Sequence, residues 1–381
     1  MDEKITTGVT REFIEQRTSW LELFYDLAYV AAIAQLTYLL VSNTGALEEH
    51  AQFVFLFAAV FMSWFGNVVY RNIKGEEDDN FDRVVTIISM FFALMMSVSL
   101  HDAFGAGALG FIIGYVGTRI AFLALIRHAY QLEGSAAPRT LHVLWGYRIA
   151  VLVWIASLFI PEPFRYAVWV AALSLEMLAP FTKSFMSRSA PNNPRILNKH
   201  HLPERLGLFT ILVMGESFIV VAVVNNIADG LITPQNGIVA SAAFLIMVGI
   251  WWLYFNDVER YARGKSFHLF RYIYAHMPIL IGVMYLAAGT KIGMVDPLGG
   301  ADPFSIVAIG IGVSMVGLNL IKLATGQRTL RLFWPTVLLL TLLVLYAPIN
   351  QLTFPLAIML LTAIFAGYVY VENRECRIAV R

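Results

Sequence analysis

The sequence predicts an all-α polytopic membrane protein with twelve transmembrane helices, arranged as two tandem six-helix repeats. Three observations support this fold class: the composition, the spacing of long apolar segments and a similarity between the two halves of the chain. Of the 381 residues, 58% are hydrophobic and only 14% are charged, whereas an ordinary soluble domain has about 25% charged residues. A chain this apolar is expected to place most of its helices in lipid.

Long apolar segments give the number of helices, because a helix needs about 20 apolar residues to cross a bilayer. Such segments lie near residues 19–42, 50–70, 83–103, 105–127, 139–160, 163–182, 205–226, 236–257, 270–290, 303–323, 330–348 and 352–371. A polar stretch with several prolines separates the sixth segment from the seventh and is typical of a loop. The predicted units are a cytoplasmic segment 1–18, a first repeat 19–182, a linker 183–204, a second repeat 205–371 and a cytoplasmic tail 372–381.

The basic residues predict that both termini are cytoplasmic, since cytoplasmic loops carry the excess of Lys and Arg. Of the 27 Lys and Arg residues, only Arg165 and Lys291 fall in the connections on the opposite side. The net charge of +1 and the scattered basic residues argue against nucleic-acid binding. The expected partner is the lipid bilayer, and the oligomeric state is left open, with a homodimer as one alternative.

The two halves of the chain align with each other at one constant offset. This offset matches Arg139-Thr140-Leu141 and Trp145 with Arg328-Thr329-Leu330 and Trp334. Internal repeats are common in membrane transport folds. Because six helices is an even number, both repeats must enter the membrane from the same side, and we expect parallel repeats about an axis along the membrane normal.

Acidic residues inside the predicted spans are the main candidate functional groups, because an ionisable side chain in a membrane helix costs at least ~2.5 kcal/mol. Glu22 and Asp26 lie four residues apart in the first span, so they share one helix face. At an offset one residue longer than that of the repeat, Asp26 aligns with Glu216 in the seventh span. We expect Asp26 and Glu216 to bind an ion or a substrate, and Glu22 to lie nearer the membrane interface.

Other polar residues in the spans are expected to support these acids. They are Arg148, Arg119, Glu176, His276, Asn67 and Asn256. The two arginines are the predicted counter-charges, since buried ions are tolerated when they are paired. The glutamate and the histidine are candidates for proton transfer, and the asparagines are candidates for hydrogen bonds between helices. Which arginine meets which carboxylate is left open.

The sequence predicts no metal site and no cofactor. Its single cysteine, Cys376, excludes a cysteine-based metal cluster within one chain. Gly264-Lys265-Ser266 imitates the end of a phosphate-binding loop, but Glu259 stands where the first glycine of that motif is required. ATP-driven transport by this chain alone is therefore not expected.

Two motifs resemble those of the bacterial low temperature requirement A family. They are WLELFYDL at residues 20–27 and ERLGLFTILVMGESF at residues 204–218. The resemblance in the order of the spans covers nearly the whole chain. It implies a multi-spanning protein of the bacterial inner membrane, linked to growth at low temperature, without an established reaction. The motif residues that it implies are Glu22, Asp26 and Glu216.

These observations favour a membrane transport protein, either a secondary transporter or a channel. It would move a cation, a proton or a proton-coupled small solute along a pathway between the two repeats. Two alternatives stay open. One is an intramembrane enzyme acting on lipid or a lipid-linked substrate, with His276 and Glu176 as acid-base groups; the other is a membrane sensor or scaffold. Catalysis is less favoured than transport, because no nucleophile and base occur at a recognisable spacing.

Overall fold

The structure, a computed structural model, describes residues 19–42, 45–74, 79–133, 141–179, 201–223, 233–255, 269–295, 302–324 and 352–379. These residues form eleven α-helices and contain no β-strand. The helices are α1 (Trp20–Ser42), α2 (Leu47–Lys74), α3 (Asn80–Ser99), α4 (Ala108–Glu133), α5 (Leu141–Ala156), α6 (Phe164–Leu178), α7 (His201–Ala222), α8 (Pro234–Leu253), α9 (Leu269–Val295), α10 (Pro303–Ala324) and α11 (Phe354–Ala379).

Within the described residues, nine helices are long and apolar enough to cross a membrane, namely all except α5 and α6. The predicted all-helical class is confirmed, and the chain is a multi-pass membrane protein. The count of twelve spans stays a prediction, because α5 and α6 are shorter and the predicted span 330–348 lies outside the described residues. The two repeats and the cytoplasmic termini also stay predictions.

Local hydrogen bonds explain where two of the helices begin. At α1, the Ser19 backbone nitrogen donates to Glu22 Oε2 over 2.8 Å, and the Glu22 nitrogen donates to Ser19 Oγ over 3.3 Å. Asp79 and Asp82 form the same reciprocal arrangement at the start of α3. Such a capping box satisfies backbone donors that have no partner within the helix. Glu22 therefore has a structural role in addition to its charge.

The surface of α3 shows how the bundle is adapted to lipid. Beyond Arg83, the exposed side chains of this helix are all large and apolar, namely Val84, Ile87, Ile88, Phe91, Leu94 and Val98. Its buried face carries the polar side chains Asp82, Thr86, Ser89 and Ser97. This inside-out distribution of polarity is expected where the solvent is hydrocarbon, because polar groups then find their partners inside the protein.

Glycines allow two helix pairs to pack closely. A Cβ atom at Gly114 of α4 would lie 2.5 Å from the Met96 backbone nitrogen of α3. At Gly310 of α10, a Cβ atom would lie 2.6 Å from the Leu286 backbone nitrogen of α9. Small residues at such crossings let the backbones approach, as is typical of membrane helices.

Helix α1 lies at the centre of the packing, where it contacts α2, α3, α7 and α9. Its buried face includes Glu22, Tyr25, Asp26 and Tyr29, which recur at intervals of three and four residues. That spacing places them on one side of the helix. The most polar stretch of α1 is thereby directed into the bundle instead of toward lipid.

Candidate functional site

Asp26 lies at the junction of α1, α2 and α7. Arg205 of α7 donates a hydrogen bond from Nη2 to Asp26 Oδ1 over 2.7 Å, and the Trp64 indole of α2 donates to the same oxygen over 2.8 Å. All three side chains are fully buried. A carboxylate is tolerated in such surroundings only when charged or polar donors replace water. The two donors make Asp26 the point at which three helices meet.

Glu22 and Arg71 extend this site toward the start of α1. Glu22 Oε2 lies 3.7 Å from Arg205 Nη1, and Glu22 is only 5% exposed. Arg71, near the end of α2, interacts electrostatically with both Glu22 and Arg205. We call Glu22, Asp26, Arg71 and Arg205 the junction cluster. Its two carboxylates and two guanidinium groups sum to no formal charge.

Trp64 of α2 borders the junction cluster, and Asn67 lies about one turn further along the same helix. The Trp64 ring stacks on Phe209 of α7, with centroids 4.0 Å apart and planes inclined by 17°, which ties α2 to α7. Asn67 follows Trp64 by three positions and is 3% exposed. Neither polar atom of its amide has a hydrogen-bond partner among the described residues. A buried polar group in that state costs about 1–3 kcal/mol, which makes this amide a candidate ligand-binding group.

A second ion pair joins α4 to α6. Arg119 Nη2 lies 2.5 Å from Glu176 Oε2, and the Tyr115 hydroxyl donates to the same oxygen over 2.8 Å. Arg119 also donates to the Tyr115 hydroxyl over 3.0 Å and to the Met62 carbonyl of α2 over 2.8 Å. Its guanidinium is therefore held by three different groups, and both charged residues are buried.

Four buried hydroxyl groups form a hydrogen-bonded chain across α1, α2 and α4. They belong to Tyr25, Tyr29, Ser63 and Thr118, and successive oxygens are 2.7 to 3.0 Å apart. Thr118 ends the chain by donating to the Tyr115 carbonyl over 2.7 Å. Tyr29 interacts electrostatically with both Asp26 and Arg119. Polar groups thus extend through the interior of the bundle from the junction cluster to the second ion pair.

Glu216 occupies a different position from Asp26. It lies on α7, eleven residues beyond Arg205, which corresponds to about 16 Å along the helix axis. Its side chain is half-buried and has no hydrogen-bond or ion-pair partner among the residues that the structure describes. The structure therefore brings Asp26 together with Arg205, while Glu216 has no counter-charge in the part of the chain that the structure describes.

The two arginines predicted as counter-charges, Arg119 and Arg148, have different surroundings. Arg119 pairs with Glu176, which was itself a predicted supporting residue. Arg148 is half-buried, and its guanidinium lies 5.2 Å from the centre of the Trp145 ring. It has no ion pair with an acid in the described part of the chain. Neither arginine is hydrogen-bonded to Asp26, whose ion-pair partner is Arg205.

His276 of α9 is buried, and both of its ring nitrogens have hydrogen-bond partners. Nε2 lies 2.9 Å from the Tyr254 hydroxyl, and Nδ1 lies 2.8 Å from the Tyr272 carbonyl. These contacts hold the ring between α8 and its own helix. The last predicted supporting residue, Asn256, lies outside the described residues.

Sequence reasoning missed Arg205 and Trp64. The predicted seventh span begins at Arg205, whereas α7 begins at His201, so the arginine lies inside the helix. A signal was present, because Arg205 directly precedes the apolar run that contains Glu216. Trp64 gave no such signal, since a tryptophan in an apolar span usually packs without a charged partner.

One cluster near the start of α3 has ligand types suited to a metal. Asp79, Asp82 and His128 place one ligand atom each within 4.8 Å of the others. The Lys74 ammonium group, however, contacts both carboxylates and supplies the positive charge that a metal would bring. The hydrogen bond from His128, followed by that from Lys74, holds the pKa of Asp79 below its ordinary value. The arrangement serves as a charged helix cap.

Comparison with known proteins supports the resemblance found in the two motifs. Residues 17–371 match the family described as bacterial low temperature requirement A protein. The chain belongs to this family. An uncharacterized protein of Rhizobium meliloti (strain 1021) is 26% identical over 328 residues, which cover 81% of this chain and 78% of that protein.

The low temperature requirement A match includes every residue of the candidate site. It begins before Glu22 and ends after α10, so it contains the junction cluster, the second ion pair and Glu216. The family membership therefore applies to the whole helical bundle that surrounds the site and not to one half of the chain.

Proposed function

We propose that this low temperature requirement A family member is a membrane transport protein, a secondary transporter or channel, for a cation, a proton or a proton-coupled small solute. The observation that carries the proposal is the junction cluster, four charged side chains buried between α1, α2 and α7. Ionisable groups inside membrane helices are costly and mark ion or substrate pathways more often than they serve packing alone.

The pathway would run between the two proposed repeats, 19–182 and 205–371. Their first helices are α1 and α7, which contact each other and are joined by the Asp26–Arg205 ion pair. In this proposal both termini are cytoplasmic and the membrane is the bacterial inner membrane. The junction cluster then lies near the cytoplasmic entrance.

The acids would have distinct roles along this pathway. Asp26 is the proposed ion ligand, and Glu22 would attract cations at the cytoplasmic entrance. Glu216, about 16 Å further along α7, would be a second binding position, because its carboxylate has no counter-charge among the described residues. The Arg119–Glu176 ion pair would keep α4 and α6 in place beside the pathway.

Transport is favoured over intramembrane catalysis by the surroundings of the proposed acid-base groups. Both nitrogens of His276 are used in hydrogen bonds within the bundle. Glu176 Oε2 is bound by Arg119 and Tyr115. Groups held in this way are poorly placed to exchange protons with a lipid substrate.

Flux measurements on purified protein in liposomes test this function. Ion and proton fluxes would be compared for the wild type, Asp26→Asn and Glu216→Gln, with K⁺, Na⁺ and pH gradients imposed in turn. We expect a measurable flux in the wild type and its loss in both variants, because each substitution removes a proposed cation ligand while nearly preserving side-chain size.

Glu48→Gln is the matched control, since Glu48 is an exposed acid at the start of α2. It should retain the wild-type flux. If both Asp26→Asn and Glu216→Gln also retain it, these acids do not form the pathway and the proposed mechanism is wrong.

A further inference from the structure

Arg119 and Arg205 are both buried, but they differ in how firmly they are held. Within the described residues, Arg119 is bound by three groups, contributed by α4, α6 and α2, and only its Nε has no partner. Arg205 has one, Asp26, and its Nε and Nη1 atoms form no hydrogen bond within the described part of the chain. A guanidinium group has five donors and is usually bound by several acceptors when it serves as a fixed buried ion. Arg205 is therefore the arginine that can leave its carboxylate at lower cost.

Two carboxylates lie next to this guanidinium, and a buried amide without a partner in the described part of the chain lies about one helical turn from Trp64. Asp26 and Glu22 provide carboxylates at 2.7 and 3.7 Å from Arg205 nitrogens. Asn67 shares a face of α2 with Trp64, which is bonded to Asp26, and its buried amide oxygen has no partner among the described residues. Carboxylate and amide oxygens together are suitable ligands for hard cations.

We propose that Arg205 is a built-in substitute for an alkali metal ion at Asp26. When the ion is absent, the guanidinium occupies the site; when Na⁺ or K⁺ binds to Asp26, Glu22 and the Asn67 amide oxygen, Arg205 leaves. This inference rests on the proposed transport function, because it assumes that the ion bound at Asp26 is the transported one.

The charges of the junction cluster determine which class of ion fits. With Arg205 in place, the cluster has no net formal charge, and exchange of one guanidinium for one monovalent cation preserves this balance. A divalent cation would leave one excess positive charge in a region of low polarity, where an unpaired charge is strongly unfavourable. The site is thus expected to select monovalent ions over Mg²⁺ and Ca²⁺.

Ion-dependent thermal stability of the detergent-purified full chain tests this exchange. Melting temperatures would be measured in NaCl, KCl and choline chloride at equal ionic strength. We expect Na⁺ or K⁺ to raise the melting temperature of the wild type relative to choline. In Arg205→Gln, the apparent dissociation constant for the ion should fall about 10- to 100-fold, since the competing charge-assisted hydrogen bond is gone. Arg205→Gln combined with Asp26→Asn should show no ion dependence.

Asn67→Leu gives a test that does not disturb the charges. This substitution breaks no hydrogen bond of the Asn67 side chain within the described residues, so the variant should fold at least as well as the wild type. Its melting temperature should lose the dependence on Na⁺ or K⁺, because one ligand of the ion is removed. An unchanged ion dependence would rule out Asn67 as a ligand.

The proposal is overturned if the wild type responds equally to Na⁺, K⁺ and choline, or if only pH changes its stability. Failure of the transport function gives a different pattern. If the ion changes the stability but no flux is measured, the exchange of Arg205 for an ion is supported and the transport function is refuted. If Arg205→Gln and the wild type show the same flux and neither is stabilised by the ion, the transport function is supported and the exchange is refuted.

Discussion

The Arg119–Glu176 and Arg205–Asp26 pairs are both buried in the helical bundle, but they are built differently. In the first, a tyrosine hydroxyl and a backbone carbonyl bind the guanidinium in addition to the carboxylate, so that only its Nε has no hydrogen-bond partner within the described residues. In the second, the indole of Trp64 and the guanidinium share one carboxylate oxygen, and most of the guanidinium donors are not used within the described residues.

This difference separates a fixed ion pair from an exchangeable one. A buried ion pair repays the cost of desolvation only when further hydrogen bonds satisfy its remaining donors and acceptors. Arg119 meets that condition much better than Arg205 does. The polar interior therefore contains both a structural element and a site whose ionic partner can change, and three substitutions test this distinction.

Arg119→Gln should have the largest effect on stability. It leaves Glu176 as a buried carboxylate without its counter-charge and removes the bond to the Met62 carbonyl. We expect a loss of about 3–5 kcal/mol in the free energy of unfolding, measured by reversible denaturation in detergent micelles. The double variant Arg119→Met with Glu176→Leu should recover most of it, because no unpaired charge remains. A loss below about 1 kcal/mol would show that this pair resembles an exposed one.

Arg205→Gln is the same substitution at the exchangeable pair and should cost less. In choline buffer we expect a loss of about 1.5–3 kcal/mol, the range for a single hydrogen bond to a charged group. Glu22 and Asp26 still have Arg71 and Trp64 nearby, which limits the loss. Equal losses for the two arginine variants would contradict the distinction between the pairs.

The helices of the bundle could be predicted from the sequence because a membrane span depends on local composition. The predicted start of the first span at residue 19 and the predicted span 303–323 agree closely with Trp20–Ser42 and Pro303–Ala324. The short helices α5 and α6 show the limit of this approach, since an apolar run does not specify how much of it becomes regular helix.

The partners of the buried acids could not be predicted in the same way. Asp26 and Arg205 are 179 positions apart, and their contact depends on how α1 and α7 pack. The interfacial position of Glu22 stays a prediction, but its burial and its contact with Arg205 of α7 depend on the packing of the helices. Glu176 and Arg119 were both identified as candidates, but only the packing of α4 on α6 shows that they bind each other.

Trp64→Phe should have the smallest effect on stability. It measures what the uncharged indole donor contributes at the Arg205–Asp26 pair. Phenylalanine preserves stacking on Phe209 but removes the hydrogen bond to Asp26 Oδ1. We expect a stability loss of about 1.5 kcal/mol, the lower end of the range for a hydrogen bond to a charged group, because Arg205 still donates to the same oxygen. Binding of Arg205 to Asp26 should become tighter, and ion binding should therefore become weaker. Trp169→Phe is the matched control, because its indole donates to the neutral Ser157 hydroxyl. If the control loses a similar amount of stability but binds the ion as the wild type does, the change in ion binding in Trp64→Phe is due to the lost hydrogen bond to the Asp26 carboxylate. If the two variants alter ion binding equally, Trp64 acts only through packing.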